Sequence, residues 1–182
     1  MARRNDIGMS DTDRGFSDAL ALLSGVKAVV TDVGFLGGEQ HPSEGDEQPI
    51  TIAQVAAWNE YGTETIPERP FMRRTVDTNA DKYKRLMGKL LARAMTIRGA
   101  PAKRARDVFT VVGAQVSSDV VKTIDAGGFA PNSEATIKRK GSSKPLVDTG
   151  VMRASTAFRV SVNGTAGGIT KSGGSATAGE GA

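Results

Sequence analysis

Two long apolar stripes with a helical period constrain the fold of this chain more than any other feature. Apolar residues recur at spacings of three and four over residues 83–95, and a second series does so over residues 108–124. Gly99 is suited to ending the first segment, and Pro101 is suited to the first helical position of the second. The sequence therefore predicts two consecutive long helices, with the second ending at Gly127.

Shorter elements are predicted on either side of these helices. Phe16, Leu20 and Leu23 fall at helical spacing and predict a helix over residues 17–24. The other predicted elements are a strand over 26–36, a helix from 52 that Gly62 ends, an extended segment held by Pro67 and Pro70, a helical turn within 132–144, a short helix over 148–154 and a last strand over 156–162. This order predicts an α+β fold, in which a small antiparallel β-sheet packs against the two longer α-helices.

The composition of the two ends differs from that of the middle. Residues 1–15 are polar and are expected to be flexible. Residues 16–163 are expected to form a single domain, which agrees with a total length of 182 residues. Residues 164–182 contain seven glycines together with Ser, Ala and Thr. Such a segment buries too little apolar area to offset its ordering entropy, so a flexible glycine-rich C-terminal tail is predicted.

The small number of metal-binding and nucleophilic residues excludes several classes of enzyme. The chain has no cysteine and a single histidine, His41, which excludes thiolate metal sites and two-histidine metal sites. His41 lies among acidic residues, and the interpretation favoured over a hard-cation site is a solvated acidic loop. No cofactor and no metal are therefore expected. Residues 19–31 are broken by polar residues and are too short to span a membrane, and the charged start does not resemble a secretory signal.

The triplet Asp148-Thr149-Gly150 matches the catalytic triplet of aspartic proteases. Those enzymes use two carboxylates that share a proton, and a second copy of the triplet is missing here. The favoured interpretation is a structural cap, in which a side-chain oxygen accepts a hydrogen bond at the start of the helix over residues 148–154. The protein is therefore predicted not to be an enzyme.

Charge is distributed unevenly along the chain. Residues 1–67 contain 4 Lys and Arg against 11 Asp and Glu, whereas residues 68–145 contain 17 against 7. Such polarity is typical of nucleic-acid binding near the basic part, and equally of identical subunits that pack head to tail. The first long helix carries a basic face that could contact DNA, contact an acidic neighbour, or simply face solvent. Its members are Lys82, Lys84, Arg85, Lys89 and Arg93.

Three blocks of sequence carry a family resemblance. Residues 52–63 end in Asn-Glu-Tyr-Gly-Thr, residues 66–73 read Ile-Pro-Glu-Arg-Pro-Phe-Met-Arg, and residues 145–155 contain Asp-Thr-Gly-Val-Met-Arg-Ala-Ser. In this order, over about residues 16–163, the chain resembles the neck and tail-completion proteins of long-tailed bacteriophages. That family is also described as virion morphogenesis, minor tail or head–tail joining proteins.

The resemblance implies a structural virion protein rather than an enzyme. Members of this family form a ring at the head–tail junction that completes the tail and joins it to the head, and tail symmetry implies six copies. The implied partners are the protein itself, head-completion or adaptor proteins, tail-terminator or tail-tube proteins, and packaged DNA in the channel, with no membrane. The implied location is the virion, after synthesis in the host bacterial cytoplasm. The alternative function is a basic DNA-binding protein of phage or bacterial origin.

The motif blocks also supply candidate interface residues. Pro67 and Pro70 are expected to stiffen an extended arm, and apolar groups at its end could insert into a neighbouring subunit. Exposed aromatic residues and arginines are common anchors of interfaces. The alternative is that Trp58 and Phe71 pack in the subunit's own core. The predicted subunit or partner interface consists of Trp58, Tyr61, Phe71, Met72 and Arg73.

Overall fold

The computed structural model describes residues 15–40, 50–140, 143, 145–146 and 150–172. Within these ranges the chain forms helices and one small sheet. In chain order the elements are α1 (Phe16–Val26), β1 (Val29–Gly34), α2 (Ile52–Tyr61), α3 (Phe71–Met95), α4 (Pro101–Ala126), α5 (Glu134–Lys140), α6 (Val151–Ala154), β2 (Ala157–Val162) and β3 (Thr165–Lys171).

The three strands form one antiparallel sheet in the order β1-β2-β3. Val29 lies opposite Val162 and Gly34 lies opposite Ala157, so strands from opposite ends of the chain pair over their full length. Helix α4 packs against β1 and β2 and also runs along α3. The predicted α+β fold, with a small antiparallel sheet against two longer helices, is confirmed.

Two apolar clusters hold these layers together, and α4 contributes to both. One cluster lies between the sheet, α1 and the helix pair, and its buried members are Leu22, Val29, Ala94, Ala105, Val108, Phe158 and Val160. The other lies beneath α2, and its buried members are Ile52, Ala56, Phe71, Val120, Ile124, Leu146 and Met152. In the second cluster the rings of Phe35 and Phe71 meet edge to face, with centroids 6.0 Å apart. Helix α4 is therefore the central element of the fold.

A glycine sets the distance between α4 and the sheet. Gly113 is buried at the middle of α4, and a Cβ at this position would lie 2.7 Å from Cδ2 of Phe158 and 2.8 Å from Cγ2 of Thr31. Both distances are shorter than van der Waals contact between carbon atoms. The close packing of α4 on β1 and β2 therefore requires a residue without a side chain at position 113.

The three apolar residues whose spacing predicts α1 lie on its outer side. Phe16, Leu20 and Leu23 are 75%, 55% and 45% exposed, whereas Leu22 is fully buried. Helix α1 packs on α4 through the side that carries Leu22, which lies in the first apolar cluster with Ala105 and Val108. The core therefore uses the other apolar positions of the helix.

Most predicted boundaries agree with the structure within a few residues, and two differ for clear reasons. Helix α3 begins at Phe71 rather than near residue 82. Pro70 precedes its first turn, and N–H groups of that turn, which have no partner within the helix, donate to the side chain of Glu60. The predicted strand over 26–36 is shorter, since Val26 completes α1 and β1 spans Val29–Gly34. Pro101 lies in the first turn of α4 as predicted.

The predicted boundary between the domain and its glycine-rich tail at residue 164 needs correction. Thr165–Lys171 forms β3 and pairs with β2. Asn163 and Gly164 join the two strands with φ angles of 51° and 78°. Positive φ at both central residues is typical of the tightest hairpin turn, for which Asn-Gly is the preferred pair. Residues 173–182 lie outside the described residues, so the flexibility of that segment stays a prediction.

Candidate functional site

Helix α2 has well-defined ends. Thr51 begins it as the N-cap, accepting a hydrogen bond from the Gln54 backbone N–H, while the Gln54 side chain accepts from the Thr51 N–H at 2.9 Å. This reciprocal capping box satisfies two N–H groups that the helix leaves free. Gly62 follows the last turn with φ 74°, a conformation that favours glycine. The helix therefore ends directly after Tyr61.

The two faces of α2 differ in composition. Ile52, Ala56 and Glu60 are buried at intervals of four residues. Trp58 and Tyr61 are three residues apart and lie on the outer side, where they are 39% and 70% exposed. We refer to Trp58 and Tyr61 as the α2 patch. Both were predicted as interface residues, and both have the exposure that such a role requires.

Glu60 joins the end of α2 to the start of α3. Its side chain is 5% exposed, and its Oε2 accepts a hydrogen bond from the Met72 N–H at 2.8 Å. Its Oε1 accepts from the Arg73 N–H at 3.0 Å. These N–H groups belong to the first turn of α3, where the helix dipole favours a negative charge. The buried carboxylate therefore caps α3 and fixes α2 against it.

Arg69 joins the loop after α2 to the segment after α4. Its side chain is 5% exposed, and its Nε donates to the Ala130 carbonyl at 2.8 Å. Nη1 donates to Oδ1 of Asn59 at 2.7 Å. Nη2 donates to the Pro131 carbonyl at 3.0 Å and to Oδ1 of Asn132 at 3.1 Å. Burial lowers the pKa of the guanidinium, and carbonyl and amide dipoles replace the water that it loses.

Arg73 supports the exposed tyrosine. Its Nε lies 3.1 Å from Oε1 of Glu60, and its Nη2 lies 2.5 Å from Oε1 of Glu68. The hydrogen bonds that Arg73 donates to Glu60 and to Glu68 raise the pKa of its guanidinium. The guanidinium carbon lies 5.1 Å from the centre of the Tyr61 ring, within the range of a cation–π contact. The ring is therefore held from one side, and its other side faces solvent.

The structure exposes some of the predicted interface residues and buries others. Phe71 has no exposed area and lies in the second apolar cluster, so its predicted insertion into a neighbour needs correction. The reason is that Phe71 and Met72 begin a helix rather than ending an extended arm. Met72 is partly buried against the same cluster. The alternative of core packing thus holds for Phe71 and not for Trp58.

Asp119 on α4 organises the contact with α3. It is 4% exposed and accepts from Lys82 at 2.5 Å and from Lys122 at 3.3 Å. Tyr83 and Gln115 donate at 3.2 Å and 3.1 Å. Burial raises the pKa of this carboxyl, but the hydrogen bonds from Lys82, Gln115 and Lys122 outweigh burial and hold the pKa below its usual value. Burial and the neighbouring carboxylate raise the pKa of Tyr83.

An open groove of about 420 Å³ lies beside Asp119 between α3 and α4. Lys82 and Lys122, which line it, bind Asp119. Arg74, on the same groove, donates to the carbonyl of Gly127 at 3.2 Å. The cations of the groove therefore have protein acceptors, and the groove is part of the contact between the two helices.

Replacing Asp119 by asparagine is expected to lower the free energy of unfolding by about 1–2 kcal/mol near neutral pH, because charge-assisted hydrogen bonds are lost. The folded-state pKa of Asp119 is lowered, so its stabilisation is complete above the unfolded-chain value of about 3.9 and is lost as pH falls through the lower folded-state value. The difference between the two proteins should therefore shrink in acid. Urea unfolding at several pH values measures this difference.

The control for this prediction is Asp81→Asn. Asp81 pairs with Lys84 at 3.4 Å, and both side chains are 78% exposed. An exposed pair of this kind contributes less than about 1 kcal/mol. A difference between wild type and Asp119→Asn that stays constant down to about pH 2 would contradict the lowered pKa.

The remaining basic residues of α3 face solvent. Lys84 makes its exposed pair with Asp81. Arg85, Lys89 and Arg93 are also exposed. Only Lys82 of the predicted basic face turns towards α4 and a buried carboxylate. The predicted contacts of the other four with DNA or an acidic neighbour stay predictions.

The far end of α3 is held by a second buried charge. Arg104 is 7% exposed, and its Nη1 donates to the carbonyl oxygens of Ala94 and Ile97. These carbonyls lie at the end of α3, where the helix dipole favours a positive charge. Beside this end lies the exposed stripe of α1, because the Gly99 N–H donates to Oδ2 of Asp18 at 2.8 Å.

The exposed stripe of α1 is the second apolar surface of the candidate site. Phe16, Leu20 and Leu23 form it, and we refer to these three side chains as the α1 patch. Together with the α2 patch it places large apolar side chains at both ends of α3. Exposed apolar surface of this kind is typical of binding surfaces.

The other sequence motifs add no chemistry among the described residues. Gly150 precedes α6 with φ 77°, while Asp148, Thr149 and His41 lie outside the described residues, so the capping role of the triplet stays a prediction. Within the described ranges no group of three His, Asp or Glu side chains could hold a metal ion. No helix in that part of the chain combines the length and the hydropathy that a membrane span needs.

Neither a family model, nor a curated protein, nor a solved structure matches the chain.

Sequence reasoning missed the buried polar residues that support the α2 patch. Asn59 and Glu60 continue the helical spacing of Ile52 and Ala56, but their polar side chains do not mark them as buried, and Arg69 lies in a loop without any period. The signal that could have found them is local. Charged residues next to a residue that ends or begins a helix, such as Gly62 or Pro70, are candidates for binding the backbone groups that the helix end leaves without partners.

Proposed function

We propose that the chain is a structural protein of a tailed-phage virion. In this role it forms a ring at the head–tail junction, which completes the tail and joins it to the head. Support comes from the resemblance of residues 52–63, 66–73 and 145–155 to neck and tail-completion proteins. The proposed partners are further copies of the chain, head-completion or adaptor proteins, and tail-terminator or tail-tube proteins.

The observation that carries the proposal is the support of an exposed aromatic pair by buried motif residues. Glu60 and Arg69 are each 5% exposed and bind groups of their own chain. Their polar atoms are therefore used for positioning, and an active site would instead present such atoms to a substrate. What the motif presents to solvent is Tyr61, with Trp58 beside it. Rigid aromatic side chains of this kind are favoured as anchors of protein interfaces.

The basic face of α3 favours one other candidate, a basic DNA-binding protein. Arg85, Lys89 and Arg93 are exposed on one long helix. Clustered lysine and arginine side chains bind the phosphate backbone with a steep dependence on salt. In a ring the same side chains would face either an acidic neighbour or the DNA in the channel.

Cryo-electron microscopy of virions tests the proposed function. We expect density for this protein at the neck, in six copies that match the symmetry of the tail. Density elsewhere in the virion, or a copy number that does not match the tail, would contradict the proposal. Duplex binding by the isolated chain that weakens steeply with salt would favour the DNA-binding alternative.

Reversing Arg85 and Lys89 to glutamate separates the two fates of the basic face. If these side chains face a neighbour, ring formation fails. If they face the channel, rings form and DNA retention or ejection suffers. Lys138→Glu is the control, because Lys138 is also exposed and basic but lies on α5.

A further inference from the structure

The two apolar patches lie at opposite ends of one straight element. Glu60 fixes the end of α2 to the first turn of α3, and the Asp18–Gly99 hydrogen bond fixes α1 beside the turn that follows α3. Helix α3 has 25 residues, and at 1.5 Å per residue it is about 37 Å long. The α1 patch and the α2 patch are therefore separated by about the length of α3.

This separation prevents one patch from covering the other within a single chain. Both patches are attached to the same helix, and both ends of that helix are held by buried charges. The two patches of different copies can meet, however. A contact between two different surfaces of identical chains is heterologous, and it produces a closed ring when the rotation between copies divides a full turn.

The charges beside the two patches are complementary. The loop after the α2 patch contains Glu64 and Glu68, both exposed, and because Glu68 is paired with Arg73 at 2.5 Å, Glu64 is the acidic group considered at this rim. Lys27 follows α1 directly. Arg98 lies beside the start of α1, since its Nε would be 3.9 Å from a Cβ placed on Gly15. Opposite charges at the rims of two surfaces orient their encounter and disfavour pairing of a surface with itself.

We infer that the α2 patch of one copy binds the α1 patch of the next copy. In this contact Trp58 and Tyr61 pack against Phe16, Leu20 and Leu23, and Glu64 faces Lys27 and Arg98. The inference rests on the proposed ring and specifies which surfaces close it. Its occupant is a second copy of this chain, because the complementary surface and the complementary charges are both present on the chain itself.

Engineered cysteines test the pairing directly, because the chain has no cysteine of its own. Leu20→Cys and Tyr61→Cys chains with distinguishable tags are mixed and oxidised mildly. The expected product is a disulfide dimer that contains one chain of each kind, and the doubly substituted chain should produce a ladder of covalent oligomers. Val30→Cys is the matched control, since Val30 is 56% exposed and lies on β1, outside both patches. It should form few disulfides with either variant.

Alanine variants provide a second measurement. Tyr61 and Leu20 are 70% and 55% exposed, so their replacement should leave the fold intact, as circular dichroism can verify. Each variant should weaken self-association at least about tenfold, and the double variant should lose little more than either one, because both contribute to one contact.

The outcomes distinguish the pairing from the ring. If oligomers form but Leu20→Cys chains link only to one another, the pairing of surfaces is overturned and the ring is not. If the chain stays monomeric alone and on tails, both the ring and the pairing are overturned. Disulfides between cysteines introduced at positions 20 and 61 would support the pairing. If the protein that forms them is absent from the neck of the virion, the proposed function is overturned.

Discussion

Replacement of Arg69 by methionine is expected to lower the free energy of unfolding by about 3 kcal/mol. Methionine keeps an unbranched apolar stem but lacks the guanidinium, so the change removes four hydrogen bonds. The carbonyl oxygens of Ala130 and Pro131 and the side chain of Asn59 then lose a buried donor. For a chain of this length the melting temperature should fall by about 6–12 °C. Thermal and urea unfolding measure both quantities.

Arg74→Met is the matched control for this variant. Arg74 also donates to backbone carbonyls after α4, but it is exposed and its bonds to Gly127 and Gly128 measure 3.2 Å and 3.4 Å. Water can replace these bonds, so the expected loss is below about 1 kcal/mol. If both variants lost the same free energy of unfolding, burial of the Arg69 hydrogen bonds would add nothing to stability.

Gly113→Ala is expected to lower the free energy of unfolding by about 2 kcal/mol. Alanine is normally the better residue inside a helix, by roughly 0.5–1 kcal/mol. Here the added methyl group would lie within 2.8 Å of Phe158 and Thr31, so α4 must move away from the sheet. Both apolar clusters include residues of α4, and the movement would loosen the packing of each.

Gly88→Ala makes the same chemical change where there is room. Gly88 lies within α3, is exposed, and has no atom within 4 Å of the added Cβ. Its replacement should raise the free energy of unfolding by roughly 0.5–1 kcal/mol. Urea midpoints of the two variants should therefore shift in opposite directions. A stabilised Gly113→Ala protein would mean that α4 and the sheet are not in close contact at this position.

The two long helices could be predicted because their evidence is local. Apolar residues recur with a helical period over residues 83–95 and 108–124, and Pro101 marks the start of the second helix. The early start of α3 could not be predicted in the same way. It depends on Glu60, which lies in another helix and supplies acceptors for the first turn.

Two features of α1 and β3 could not be predicted, for different physical reasons. Helix α1 contains two apolar series, one with Leu22 and Val26 and one with Phe16, Leu20 and Leu23. Periodicity does not decide which of them faces the core, whereas the packing of α1 on α4 does. Strand β3 has the composition of a flexible tail, and its pairing follows from the Asn-Gly turn before it.

The exposed residues of the α2 patch could be predicted from the sequence, whereas the buried residues that hold them could not. The aromatic character of Trp58 and Tyr61 on a short helix is visible in the sequence. Their support connects residues that are distant along the chain, such as Arg69 and Ala130. The outward position of the α1 patch could not be predicted, because a single chain sequence does not distinguish apolar residues that the fold buries from those that it leaves exposed.

Because buried charges hold both ends of α3, the number of residues in this helix also sets an angle. Each residue of an α-helix turns the chain by about 100° and advances it by 1.5 Å. Glu60 fixes the orientation of α2 at one end, and Arg104 fixes the other end to α4. Inserting or deleting one residue within α3 would therefore rotate α2 by about 100° about the helix axis relative to α1, while changing their separation very little. The number of residues in α3 therefore sets the angle between α2 and α1 about the helix axis. Substitutions along the exposed face of α3 leave this angle unchanged, whereas insertions and deletions change it.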